Sequence, residues 1–209
     1  MVSVYDIKPG FQALLRPVTR GLARAGATAN QVTLAAMLLS AALGGAIVAW
    51  PTRRWVLFFI PAGLFVRMAL NAIDGMLARE HHMKSRLGAI LNEVGDVVSD
   101  AALYLPLARV PGFAHYGPWA MVVIVVLAGI SEITGVLGQT LGGSRRYDGP
   151  MGKSDRALVL GAVALLLGCG VRPGDGTVSW VDGVLAAVLL GLVVTIINRA
   201  RRALREGTP

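Results

Sequence analysis

The chain has 209 residues, 55% of them hydrophobic and only 15% charged, with a formal net charge of +8. Soluble domains carry about 25% charged residues, so the composition points to an integral membrane protein and away from a soluble enzyme or a nucleic-acid module. The positive charge reads as contact with anionic lipid.

Residues 1–30 form the first predicted unit, an amphipathic helix lying in the cytoplasmic interface. Ile7, Phe11, Leu14, Leu15, Val18 and Leu22 recur at helical spacing, with Lys8, Arg16, Arg20 and Arg24 mostly elsewhere on the wheel. Pro17 is expected to kink or divide this helix. Residues 31–209 form an all-α membrane domain with apolar runs at 31–50, 55–78, 87–108, 118–141, 157–171 and 178–198. Crossing a ~30 Å hydrocarbon layer takes about 20 residues, so the run at 157–171 is short and charge must decide whether it spans. With six spans, segments 1–30, 79–86, 142–156 and the C-terminus carry 4, 3, 4 and 4 Lys/Arg on one side. The other side has only Arg53, Arg54, Arg109 and Arg172, and Arg67 lies within a span. Dropping the fifth span would strand Arg199, Arg201, Arg202 and Arg205 on the wrong side. The positive-inside rule therefore predicts six spans, both termini cytoplasmic, in a cell (inner) membrane.

Some residues are read as background. Trp50, Trp55 and Trp180, with Asp182, sit near outer span ends as interfacial anchors. Adjacent His81 and His82 suit no common chelating geometry and read as a solvated pair. Cys169, the only cysteine, excludes a disulfide framework and reads as a small buried hydrophobe. The segment 142–156, "GGSRRYDGPMGKSDR", is the longest cytoplasmic loop, either a solvated basic loop or an anion site.

Chemistry concentrates in residues 71–96, "NAIDGMLAREHHMKSRLGAILNEVGD". Asn71, Asp74 and Ala78 share one helical face; Gly88, Asn92, Asp96 and Asp100 share a face of the next helix. The short connection at 79–86 predicts antiparallel neighbours whose polar faces meet. Ionisable groups at such depth are costly and mark function. Converging carboxylates and amides make a site for a hard cation such as Mg²⁺ or Mn²⁺, which commonly completes its shell with substrate phosphates. Gly75 and Gly88 remove side chains where a ligand or a backbone must come close.

The pattern N-x2-D-G-x2-A-R-x8-G-x3-N-x3-D between Asn71 and Asp96 resembles that of the CDP-alcohol phosphotransferases, in which both asparagine positions are aspartates. "TANQVT" at 28–33 resembles the family's S/T-P-N-x-hydrophobic-T segment, with Ala29 in place of proline. The resemblance implies attack of an acceptor hydroxyl on the β-phosphorus of a CDP-alcohol, usually CDP-diacylglycerol, with release of CMP. It implies that Asn71, Asp74, Asn92 and Asp96 occupy the metal positions and that Asp96 is the general base. It further implies that Gly75, Ala78, Arg79, Ser85 and Gly88 line the CMP moiety, and that the protein is a homodimer. Lys153 and Arg156 resemble a basic stretch before the family's fifth span and are expected to hold a phosphate of donor or acceptor.

The two asparagines lower the formal charge at the four positions from −4 to −2. Glu132, at a depth similar to Asp96, and Glu93 are the candidates to make up the loss. Arg67, mid-span, is expected to pair with Asp100 or Glu132; if it takes Glu132, compensation weakens. Three functions are thereby open: an active enzyme of membrane phospholipid synthesis, a CDP-lipid-binding protein without turnover, and a scaffold or transport protein.

Overall fold

The computed structural model describes residues 8–113, 116–174, 176 and 178–206, and every regular element among them is helical. The helices are α1 Lys8–Arg24, α2 Ala29–Ala49, α3 Arg54–Glu80, α4 Arg86–Tyr104, α5 Gly117–Thr140, α6 Lys153–Gly168 and α7 Trp180–Glu206. Among the described residues four of them, α2, α3, α5 and α7, are long and apolar enough to cross a membrane. The protein is an integral membrane protein. Helix α4 carries Arg86, Glu93, Asp96 and Asp100, and α6, at 16 residues, is about 24 Å long.

Local sequence accounts for the boundaries. Thr28 caps α2, accepting from the Gln31 N–H while Gln31 returns a bond to the Thr28 N–H. Ala29 is the first helical residue, a position where proline is equally at home. Ser85 caps α4 by accepting from the Gly88 N–H at 2.9 Å. The predicted span to residue 108 instead loses α-helical form at Tyr104 and continues as a 3₁₀ turn, Leu105–Arg109. Pro106 has no N–H to extend the ladder. The predicted 142–156 loop is likewise shorter, because α6 begins at Lys153.

Pro17 lies inside α1 without dividing it. Of the proposed apolar stripe, Leu15 and Leu22 pack on a small core of Ala29, Val32, Ile73 and Leu77, whereas Leu14 and Val18 are exposed. Phe11 meets Phe65 edge-on and Arg16 pairs with Glu80 at 3.1 Å, so α1 is fastened along α3. Residues 1–7, with Ile7, lie outside the described part.

The polar faces of α3 and α4 meet as the short connection predicts, but through side chains and not by close helix packing. Helix α2 packs extensively along both, and α3 and α4 make little direct backbone contact. Gly44 of α2 makes this close: a Cβ there would run into the Ala102 carbonyl of α4. The result is a cleft between α3 and α4, floored by α2 and crossed only by side chains. Helix α6 runs antiparallel to α3, with Gly161 beside Pro61 and Leu64, Gly168 beside Leu57 and Phe58, and Gly170 beside Arg54. The apolar core, including Ile60, Leu64, Leu103, Leu107, Ile124, Leu160 and Leu192, fills the half of the bundle away from the cleft's carboxylates.

Candidate active site

Helical periodicity puts Asn71 and Asp74 on the cleft face of α3, and Asn92 and Asp96 on that of α4. The two faces meet through side chains: Asn71 Nδ2 lies 3.4 Å from Asp96 Oδ1. Asp74 and Asp96 are both buried, and Asp74 lies within electrostatic reach of Asp96 and Lys153. Asp74 Oδ2 accepts from the Thr33 hydroxyl at 2.8 Å, so the floor helix orients this carboxylate. Asn92 turns its amide toward Glu93, at 3.4 Å.

Lys153, at the first turn of α6, reaches across to Asp96 Oδ2 at 2.6 Å. Arg156, one turn on, is fully buried with Nη2 2.8 Å from Asp100 and 3.5 Å from Glu132. Its guanidinium is thus committed to two carboxylates, and of the predicted basic pair only Lys153 faces the cleft carboxylates. Arg67 pairs with Asp100 at 2.7 Å, not with Glu132, and its Nη2 also donates to the Asp96 carbonyl at 3.2 Å. Glu132 instead gathers Arg145 at 3.4 Å, Arg199 at 3.4 Å and Arg156. Glu93 pairs with Arg145. Neither glutamate is free to replace the lost carboxylate charge. Both are candidates for that task from sequence; the arginines that claim them come from the α5–α6 loop, α6 and α7, 13 to 67 residues away along the chain.

The positions expected to line a CMP moiety fall into two small groups, one on α3 and one at the start of α4. Arg79 folds its guanidinium over Gly75, where a Cβ would lie 3.1 Å from Nη1. A Cβ on Gly88 would sit 2.6 Å from Asn30 Oδ1 and 2.9 Å from Ser85 Oγ, so this glycine leaves room for two polar groups. Ala78 faces the small core beneath α1. Thr33 and Asn30 were not singled out from sequence as site residues, although both lie in the "TANQVT" segment; Arg199 and Arg145 counted there only as topological charge. His81 is half-buried and His82 exposed, the latter with a φ of 57° in the turn. Cys169 is exposed at the end of α6, not buried.

Loop 141–152 is anchored beside the site. Arg146 bonds Asp148 at 2.8 Å and pairs with Glu206, which raises the guanidinium's pKa above its ordinary value, the Glu206 hydrogen bond contributing most. Arg202 adds a bond to Asp148 at 2.6 Å.

The donor set fits one hard cation and not a closed cage. Among the described residues no group of three or more His, Cys, Asp or Glu side chains could hold a metal. With Asp74 as the carboxylate that enters no ion pair among the described residues, most of an octahedral shell would fall to water or substrate oxygens, which is how Mg²⁺ is usually bound.

Comparison with known proteins gives the family and the fold. The family described as CDP-alcohol phosphatidyltransferase matches residues 27–197. The chain is 43% identical over 203 residues to the inner membrane protein YnbA of Escherichia coli, covering 97% of each. It is 26% identical to the phosphatidylinositol phosphate synthase of Corynebacterium glutamicum, covering 95% of this chain and 87% of that one. The fold is that of Mycobacterium tuberculosis phosphatidylinositol phosphate synthase. Its complex with manganese and citrate superposes with TM-score 0.70 at 20% identity, covering 90% of this chain and 88% of that one. Its CDP-DAG-bound form superposes with TM-score 0.64, also at 20% identity, covering 91% of each. The motif between Asn71 and Asp96, the cleft that it lines and these likenesses agree: the chain belongs to the CDP-alcohol phosphatidyltransferase family, whose members are membrane transferases of phospholipid biosynthesis.

Proposed function

We propose that this protein transfers the substituted phosphate of a CDP-alcohol, CDP-diacylglycerol in the first instance, to a hydroxyl acceptor and releases CMP. The acceptor oxygen forms a bond to the β-phosphorus, the bond from that phosphorus to the bridging oxygen breaks, and CMP departs with the electron pair. Asp96 takes the hydroxyl proton as general base. Asp74, with Asn71 and Asn92, would hold a divalent cation, Mg²⁺ or Mn²⁺. A bound cation of this kind neutralises the diphosphate and the leaving CMP. Arg79, Ser85, Gly75, Ala78 and Gly88 accommodate the CMP moiety, Lys153 meets a phosphate, and Arg156 acts through Asp100 and Glu132 to set the wall behind them. Six spans, a cytoplasm-facing site, an interfacial α1 and a homodimer belong to the same proposal.

The observation that carries it is that Asn71 of α3 meets Asp96 of α4 at 3.4 Å, with the buried Asp74 carboxylate within electrostatic reach of Asp96. The test is CMP release from CDP-diacylglycerol by purified protein with Mg²⁺ or Mn²⁺ and a panel of hydroxyl acceptors, among them glycerol phosphate, inositol phosphate and serine. Turnover with one of them supports the proposal. Saturable CDP-lipid binding with no CMP release under any metal indicates a binding protein, a reading favoured by the two asparagines; absence of binding indicates a scaffold or transporter.

A further inference from the structure

We propose that Lys153 is a resident cation of this site, so that the chain binds a single divalent ion, anchored on Asp74, and not two. The inference rests on reading the cleft as a cation-assisted phosphotransfer site, and it concerns how the charge lost at Asn71 and Asn92 is handled.

No acid has moved in to replace those charges, because Glu132 is held by Arg145, Arg156 and Arg199, and Glu93 by Arg145. The group that faces the remaining motif carboxylate of α4 is positive. The Lys153 ammonium lies 2.6 Å from Asp96 Oδ2, and the other oxygen of that carboxylate faces the Asn71 amide at 3.4 Å and Arg67 at 3.9 Å. Asp96 is thus surrounded by donors. Asp74 differs: among the described residues it enters no ion pair, Lys153 acting on it only at longer range, and its side-chain hydrogen bond comes from the neutral Thr33 hydroxyl.

Local helix chemistry does not explain this lysine. A cation in the first turn of α6 meets the positive end of the helix dipole, where an anion is favoured. The Asp96 carboxylate supplies the missing reason. The ion pairs leave little acid over: Arg67, Arg145, Lys153, Arg156 and Arg199 answer Glu93, Asp96, Asp100 and Glu132, and Asp74 alone of these acids enters no ion pair among the described residues. A diphosphate diester brings a charge of about −2, which one divalent ion offsets. A second ion would have to share Asp96 with an ammonium, and like charges so close in a weakly screened interior repel strongly.

The test is a Mn²⁺ titration of the purified full-length protein without CDP-lipid, read by electron paramagnetic resonance of free Mn²⁺ and by calorimetry. The wild type is expected to take up no more than one Mn²⁺ per chain. Lys153→Met should bind Mn²⁺ at least tenfold more tightly, and Lys153→Arg, which keeps the charge, should stay at the wild-type value. Two ions bound by the wild type, or no gain in Lys153→Met, overturns the inference. Should the Met variant not purify as a folded protein, Lys153→Gln is read by the same criteria. CMP release is followed in parallel: a wild type that never turns over defeats the phosphotransfer reading, whereas the titration alone decides the role of Lys153.

Discussion

Asp100 accepts two arginines at once, Arg67 at 2.7 Å and Arg156 at 2.8 Å, inside the bundle. Breaking a buried pair costs about 3–5 kcal/mol, because a charge is left without a partner. Losing Asp100 takes the nearest carboxylate from two guanidinium groups at once, leaving Arg156 only Glu132 at 3.5 Å and Arg67 only Asp96; losing Arg67 leaves Asp100 still paired with Arg156 at 2.8 Å. Asp100→Asn should therefore destabilise the protein by about 3–5 kcal/mol, and Arg67→Met by clearly less, as measured by thermal unfolding in detergent. Equal losses would mean that the two arginines do not share the carboxylate. Thr33 presents a different case. Its one hydroxyl proton goes to Asp74 Oδ2 at 2.8 Å, nearer than the Ala29 carbonyl at 3.1 Å, so it positions a carboxylate. A hydrogen bond to a charged group contributes about 1.5–3 kcal/mol. Thr33→Val should accordingly lower kcat about tenfold or more, with little change in KM for the CDP-lipid and with recovery in Thr33→Ser. A fall confined to KM would instead put Thr33 in contact with the donor.

At the scale of elements, what was readable from sequence is whatever repeats with the period of a helix. The faces Asn71–Asp74 and Asn92–Asp96–Asp100 follow from i+3 and i+4 spacing alone, and the structure brings them together. Which helix packs against which has no such period. A short turn at 81–85 brings the ends of α3 and α4 together but does not keep their lengths in contact, and α2 takes the space between them. The fate of Glu132 was hidden for the same reason: its three arginines lie 13, 24 and 67 residues away along the chain. The loop before α6 shows how an element can carry a site residue. Gly149 has a φ of 130°, and a Cβ there would lie 2.6 Å from the Cα of Thr195 on α7. The backbone of the loop thus lies directly on α7, and the Met151 N–H donates to the Thr195 hydroxyl at 3.0 Å. Gly149→Ala meets both strain and a clash. It should unseat residues 141–152, seen as faster proteolytic cleavage in that segment, and lower CMP release by displacing Lys153, while the thermal midpoint of the bundle falls only slightly.

For the whole molecule, the question is whether α4 and α6 cross the membrane beside the four helices that are plainly long enough. The antiparallel course of α6 along α3 bears on this. Lys153 begins α6 at the level of Asp96, and Gly170 follows its end at the level of Arg54, where α3 starts. Helix α6 therefore spans the distance from the carboxylate cleft to the opposite end of the bundle, although it is only about 24 Å long. That opposite end also holds the Trp50–Trp55 pair and Trp180, whose indole N–H donates to the Arg172 carbonyl at 2.9 Å. Aromatic side chains with one polar group of this kind favour a membrane–water boundary. The molecule carries its own reporter at that boundary, because its single cysteine, Cys169, is exposed at the end of α6. With six spans and the cleft on the cytoplasmic side, a membrane-impermeant maleimide added to intact spheroplasts should label Cys169, and Cys169→Ser should abolish the signal. Ser144→Cys in the Cys169→Ser background should be labelled only after the membrane is opened, since Ser144 lies in the loop at the cleft end. The reverse pattern would turn the protein over in the membrane, and labelling of both from one side would mean that α6 does not cross.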